Sequence, residues 1–188
     1  MPASIMPAFI RWPKEAEVIS HLLAGYGELE FELCLLLAEV LGDDKDSAVR
    51  ITYRNRGEEA RINVTDAFLR PSFAKLGGSM EAYYCEIIAA MRQCRVIRNQ
   101  YAHCHWTDDH GGLRFVVLEA EAKKSTQIKL TLNRVDIGLL VEQEDYFKFT
   151  QRGFLYLKHE YALVVRGGAI HPFPRTPVVP KPRLHNGS

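Results

Sequence analysis

The stretch Arg92-Gln93-Cys94-Arg95-Val96-Ile97-Arg98-Asn99-Gln100-Tyr101-Ala102-His103-Cys104-His105-Trp106 decides how this chain is read. It places three arginines, an asparagine and two histidines at the end of an apolar segment. Working outward toward the N-terminus, Gly77-Gly78 breaks the chain and Ser79 is a suitable N-cap for a helix starting near Met80. At roughly 100° per residue, Tyr83, Tyr84, Ile87, Ile88, Ala90, Met91, Cys94, Ile97 and Tyr101 share one arc of that helix. Arg98 projects from the middle of the same arc. A guanidinium there needs an acidic or hydrogen-bonding partner, because burying it alone is prohibitive. Asn99 and His103 are four residues apart and share another face, near Arg92 and Arg95. Arg98 and His103 are separated by roughly 140° on an ideal helix. A common site therefore requires a distorted last turn or a second copy of the helix, at a two-fold seam.

Arg98-Asn99-Gln100-Tyr101-Ala102-His103 resembles the Arg-x4-His signature of HEPN domains (higher eukaryotes and prokaryotes nucleotide-binding). The resemblance covers the helical part of the chain, from about Pro13 to Trp106 plus the last helix. It implies an all-α bundle with the motif near the end of a long helix. It implies a metal-independent endoribonuclease, of toxin or phage-defence type, with two motifs meeting across a homodimer and an antitoxin protein as a further partner. The expected products are 2′,3′-cyclic phosphate and 5′-hydroxyl ends. Inactive members serve as interaction or nucleotide-binding modules, so a catalytically silent dimeric module binding a nucleotide or protein is the alternative. Some toxin members carry a tyrosine two positions after the histidine. Here Cys104-His105 follows, and regulation through that tyrosine does not carry over.

The residue types fit the chemistry. Cleaving RNA without metal requires proton transfer at the 2′-hydroxyl and the leaving 5′-oxygen, with charge stabilisation at phosphorus. Imidazole suits the first, since its unperturbed pKa is about 6.5. Arginine suits the second through its forked donors. The expected site is His103 as general acid/base, Arg98 as phosphate clamp and Asn99 as orienting group. Arg95, Arg92 and Tyr101 are expected as substrate contacts, with Glu30 in support. No cofactor is expected. A metal reading would use His103, His105, Asp109, His110 and Cys104, but His-x-His on a helix points its rings apart.

The 188 residues suffice for one domain with a sizeable core. With 47% hydrophobic and 25% charged residues and a net charge of +1, no global field attracts nucleic acid. A local basic footprint does exist, because no acid stands between Glu86 and Asp108. Cys34, Cys85, Cys94 and Cys104 form no Cys-x-x-Cys pair, no secretory signal is evident, and no uncharged apolar run is long enough to span a membrane. A reduced cytoplasmic protein is expected.

The remaining chain reads as a mainly α helical bundle of long antiparallel helices with a small β-hairpin and a Pro-rich tail. Residues 1–12 form an apolar, Pro-punctuated arm that should pack on the domain or a partner. The bundle domain spans 13–166. Its first long helix runs to about Leu41 with Gly42 as stop. Glu30 falls inside the apolar face of that helix, and Glu28 and Glu32 outside it. A carboxylate and a guanidinium hidden on two helices are expected to meet, Glu30 with Arg98 or Arg95. Shorter helices follow at 43–56 and 58–69, with an interruption at Pro71. Arg50, Arg54, Arg56, Arg61 and Arg70 among them read as surface arginines or a phosphate surface. Gly25-Tyr26-Gly27 reads as close helix packing. His105 and Trp106 are expected to cap and staple the central helix, and Thr107 to Gly112 is a break. A hairpin is expected from strands near 113–119 and 127–135. A last helix, 137–165, is capped by Asp136, with Gly153 as a kink. The tail, 167–188, favours extended polyproline structure and needs something to hold it.

Overall fold

The computed structural model describes residues 6–109, 111–124, 130–167 and 174–185. The protein is mainly α, a helical bundle with a small antiparallel sheet. Its elements are α1 (Pro7–Arg11), α2 (Pro13–Val40), α3 (Lys45–Tyr53), α4 (Glu58–Leu76), α5 (Gly78–Ala102), β1 (His105–Asp109), β2 (Gly112–Val116), α6 (Leu118–Lys124), β3 (Asn133–Arg134) and α7 (Ile137–Arg166). The chain divides into two compact units. The first comprises Met1–Ala24, Val96–Asp145 and Pro182–Ser188; the second comprises Gly25–Arg95 and Tyr146–Lys181.

In the second unit, the apolar arc of α5 is buried as its periodicity requires. Tyr83, Tyr84, Ile87, Ile88, Ala90, Met91 and Cys94 are each at most 2% exposed. Each large side chain so buried contributes about 1.5–3 kcal/mol. Phe73 of α4 stacks on Tyr84 with centroids 4.5 Å apart. Gly153 of α7 is a close-approach glycine rather than a kink, since a Cβ there would lie 2.7 Å from Ile87 Cγ1 of α5. Gly25 and Gly27 are not of this kind: an added Cβ would make one ordinary contact at the first and none at the second. α2 ends in a Schellman turn, with Asp43 N–H donating to Ala38 C=O at 2.9 Å and Gly42 to Glu39 C=O at 3.2 Å, and with Gly42 at φ 81. Asp44 caps α3 by accepting from Ser47 N–H at 2.9 Å. α4 continues through Pro71, where the sequence predicted a break. Pro71 is exposed, so its ring meets solvent rather than a packed neighbour.

The first unit holds the sheet, ordered β1-β2-β3. The hairpin is formed by β1 and β2, with Trp106 opposite Phe115 and Asp109 opposite Gly112. This corrects the expected hairpin in two ways. His105 and Trp106 begin a strand instead of capping α5, and Thr107, Asp108, Asp109 and Gly112, expected in a break, are strand residues of β1 and β2. The expected second strand survives only as β3, where Asn133 pairs with Phe115 and Arg134 with Arg114; its 127–129 portion lies outside the described residues. Trp106 sits among Phe9 (5.1 Å), Phe115 (5.5 Å) and Tyr101 (6.2 Å). The N-terminal arm therefore docks on this unit through Phe9. Its Arg11 also pairs with Asp108 at 2.8 Å.

The tail is held by its own chain. In the second unit the Arg175 guanidinium lies 4.3 Å over the Tyr83 ring. In the first, Pro182 and His185 are buried. Gln100 ties down the His185 backbone on both sides, with Nε2 donating to its carbonyl at 2.6 Å and Oε1 accepting from its N–H at 3.2 Å.

Candidate functional site at the end of α5

α5 stops at Ala102, one residue before His103. His103 lies in the following turn and is exposed. The helical phase that set Arg98 and His103 apart therefore no longer governs the imidazole. Arg98 is half-buried, and its NH1 donates to Asn99 Oδ1 at 3.0 Å. That contact orients the amide, leaving its NH2 as the donor end. Glu119 of α6 is a charge neighbour of His103. Its carboxyl is held below the usual range, mainly by the hydrogen bond and charge of Lys123, with a smaller contribution from His103. Arg98, Asn99 and His103 thus belong to one unit, at the C-terminal end of α5 and the turn that follows it. A depression of about 440 Å³ in that unit is bordered by Trp12, Glu15, Leu113, Arg134 and Asp136 and includes none of the three.

Tyr101 does not offer itself to a substrate. It is 1% exposed, and its hydroxyl donates to Gln143 Oε1 at 2.6 Å. His185 Nε2 accepts from the Asp136 N–H at 2.8 Å, so the ring proton resides on Nδ1 and is donated to the Tyr101 oxygen at 2.8 Å. Gln143 Nε2 then donates to Arg183 C=O at 2.9 Å. Burial pushes the Tyr101 hydroxyl well above its ordinary pKa and outweighs the Gln143 contact, which lowers it. Tyr101 is a core hydroxyl in a satisfied network, and the expectation of substrate contact is corrected on that ground.

Arg92, Arg95 and Glu30 fall in the second unit. Arg95 pairs with Glu59 of α4 at 3.3 Å. Glu30 is buried, as its place on α2 predicted, and the arginine seen on it is Arg61 of α4, with NH1 2.9 Å from Oε2. Arg61 also covers the Tyr53 ring at 5.2 Å. Arg61 is one of the five arginines that read in the sequence as surface arginines or a phosphate surface. Arg92 donates to Asn63 Oδ1 at 2.5 Å and to Asp66 Oδ2 at 3.1 Å. Asp66 was missed altogether. It is 7% exposed and accepts from Tyr84 at 2.6 Å and from Arg70 at 2.9 Å as well. The signal was present: Ile62, Asp66, Leu69 and Phe73 share one stripe of α4, the same pattern that singled out Glu30. Burial drives the Asp66 carboxyl up, but the Arg70 and Tyr84 hydrogen bonds and the Arg70 and Arg92 charges prevail and hold it below the usual range.

Among the described residues no group of three or more His, Cys, Asp or Glu side chains is placed to hold a metal ion. Cys104 donates its thiol to Tyr101 C=O at 3.1 Å, and burial pushes its pKa up to about 12. His110 lies outside the described residues. No helix among them is long and apolar enough to cross a membrane. In comparisons with protein-family models, curated proteins and solved structures, nothing matches the chain.

Proposed function

We propose that the chain is a metal-independent, HEPN-like endoribonuclease acting on RNA phosphodiesters, with the site shared by two copies. The observation that carries this reading is the end of α5, where Arg98 engages Asn99 at 3.0 Å and His103 leaves the helix exposed. Arg98 holds the non-bridging phosphate oxygens, Asn99 positions the base or the substrate, and His103 transfers the proton. A second copy supplies the second imidazole, so that one His103 removes the 2′-proton while the other protonates the leaving oxygen. An antitoxin-type protein would cover this exposed end. The competing reading is a silent module that binds a nucleotide or protein; it is favoured by the Asn99 carbonyl being occupied by Arg98.

The test is incubation of purified protein with defined RNAs in EDTA. We expect cleavage leaving 2′,3′-cyclic phosphate ends, and loss of at least about a hundredfold in rate for His103→Ala, the usual scale of a general acid/base. Equal cleavage by the two proteins, or none by either, leaves the silent module.

A further inference from the structure

Asp66, Arg70, Tyr84 and Arg92 form a cluster in the second unit that the proposed catalysis does not use. One carboxylate oxygen, Asp66 Oδ2, accepts from two guanidiniums, Arg70 NH2 at 2.9 Å and Arg92 NH2 at 3.1 Å. The other oxygen accepts the Tyr84 hydroxyl at 2.6 Å. Asp66 and Tyr84 are buried, whereas the Arg70 and Arg92 side chains are 52% and 38% exposed. Arg92 and Tyr84 of α5 already join Asp66 of α4, so a staple between the two helices does not need Arg70. Arg70 adds a second cation on the same oxygen, at a like-charge cost. Asp66 is the main influence on the Arg70 charge, with smaller ones from Cys85 and Tyr84. Two fixed guanidiniums against one carboxylate leave a net positive charge at the surface. Each also keeps N–H donors beyond those directed at Asp66, Asn63 and Cys85. Side-by-side planar donors with a surplus charge complement a tetrahedral oxyanion.

The geometry points to Arg70 and Arg92, anchored by Asp66, as a binding site for a phosphodiester group of a single-stranded RNA. This rests on the nuclease reading for its choice of ligand, and assigns that substrate a backbone contact on the second unit.

The test measures binding without cleavage. A fluorescein-labelled 2′-O-methyl oligouridylate lacks the attacking hydroxyl, and its affinity is read by fluorescence anisotropy in EDTA across a salt series. Arg70→Gln and Arg92→Gln should each weaken binding by about tenfold, the scale of a charge-assisted contact. Each should also flatten the slope of log K against log salt by about 0.7. Arg70→Lys should fall between wild type and Arg70→Gln, having the charge without the fork. Arg166→Gln, which removes a guanidinium paired with Glu39 elsewhere, should bind as wild type. Each glutamine variant leaves the other arginine on Asp66, and circular dichroism verifies the fold; should Arg92→Gln not fold, the two Arg70 variants decide. Wild-type affinity in the Arg70 variants, or no binding by the wild type, overturns the assignment. So does a labelled polyglutamate peptide that binds more tightly than the oligonucleotide and loses affinity in Arg70→Gln. Binding that depends on Arg70 in a protein that cleaves no RNA would retain this site and remove the nuclease reading. Cleavage dependent on His103 with Arg70 irrelevant to binding would do the reverse.

Discussion

At the scale of single residues, polar groups on apolar helix faces carry most of the information. Glu30 was legible from its phase on α2, but its partner was not. A helical wheel says which way a side chain points and nothing about which helix lies opposite; Arg61 meets it because α4 lies there. Glu30→Ala would leave the 27%-exposed Arg61 side chain without this acceptor. We expect a loss of about 1–3 kcal/mol in urea unfolding, since a half-buried donor is stranded. His185 makes a second prediction. Burial holds its imidazole below the ordinary histidine range, outweighing the Asp136 contacts that raise it. The groups facing it are Asp136, Arg183, Tyr101 and Gln100. Its contribution to stability is complete above the unfolded-state pKa of about 6.5. It is lost as pH falls from there through the lower folded-state value, because the unfolded chain takes up a proton that the folded chain resists. Urea midpoints at pH 7.5 and 5.5 should therefore differ less in His185→Gln than in wild type; an unchanged difference sinks this account.

At the scale of elements, the long helices were readable because their apolar repeat is strong and their boundaries are chemical: Gly42 follows α2, Gly57 precedes α4 and Gly77 ends it, all at positive φ. The sheet was misplaced because β1 is short and carries His-Trp-Thr-Asp-Asp, a weakly strand-forming string that gains its partner only when β2 folds beside it. Gly153 looked like a kink and is a contact. Gly153→Ala should destabilise by about 1–3 kcal/mol, the usual cost of overpacking, despite the better helix propensity of alanine. Chemical denaturation of this variant, compared with Gly27→Ala, where an added Cβ meets nothing within 4 Å, separates the two effects. A Gly153→Ala protein as stable as wild type would mean that Ile87 moves aside freely.

At the scale of the whole molecule, the proposed nuclease depends on two copies. Sedimentation velocity at micromolar concentration should show a dimer, and a protein that cleaves RNA as a monomer would show that one copy of His103 suffices. A negative charge introduced at the C-terminal end of α5, by Asn99→Asp, should impair cleavage while leaving the fold intact, since Asn99 is not among the buried residues. The tail was read as needing a holder, and its own chain supplies one through Arg175, Pro182 and His185.

Periodicity, charge placement and glycine stops by themselves determined that this chain is mainly helical, which face of α5 is buried, and that Glu30 and Arg98 sit on inward faces, because those properties depend only on neighbours a few positions away. Tertiary structure alone decided which partner each inward charge meets, that Tyr101 is sealed by His185, and that Asp66 gathers two arginines. Those contacts join residues as far apart as Tyr101 and His185, and no local repeat encodes which distant side chain will complete a buried hydrogen bond.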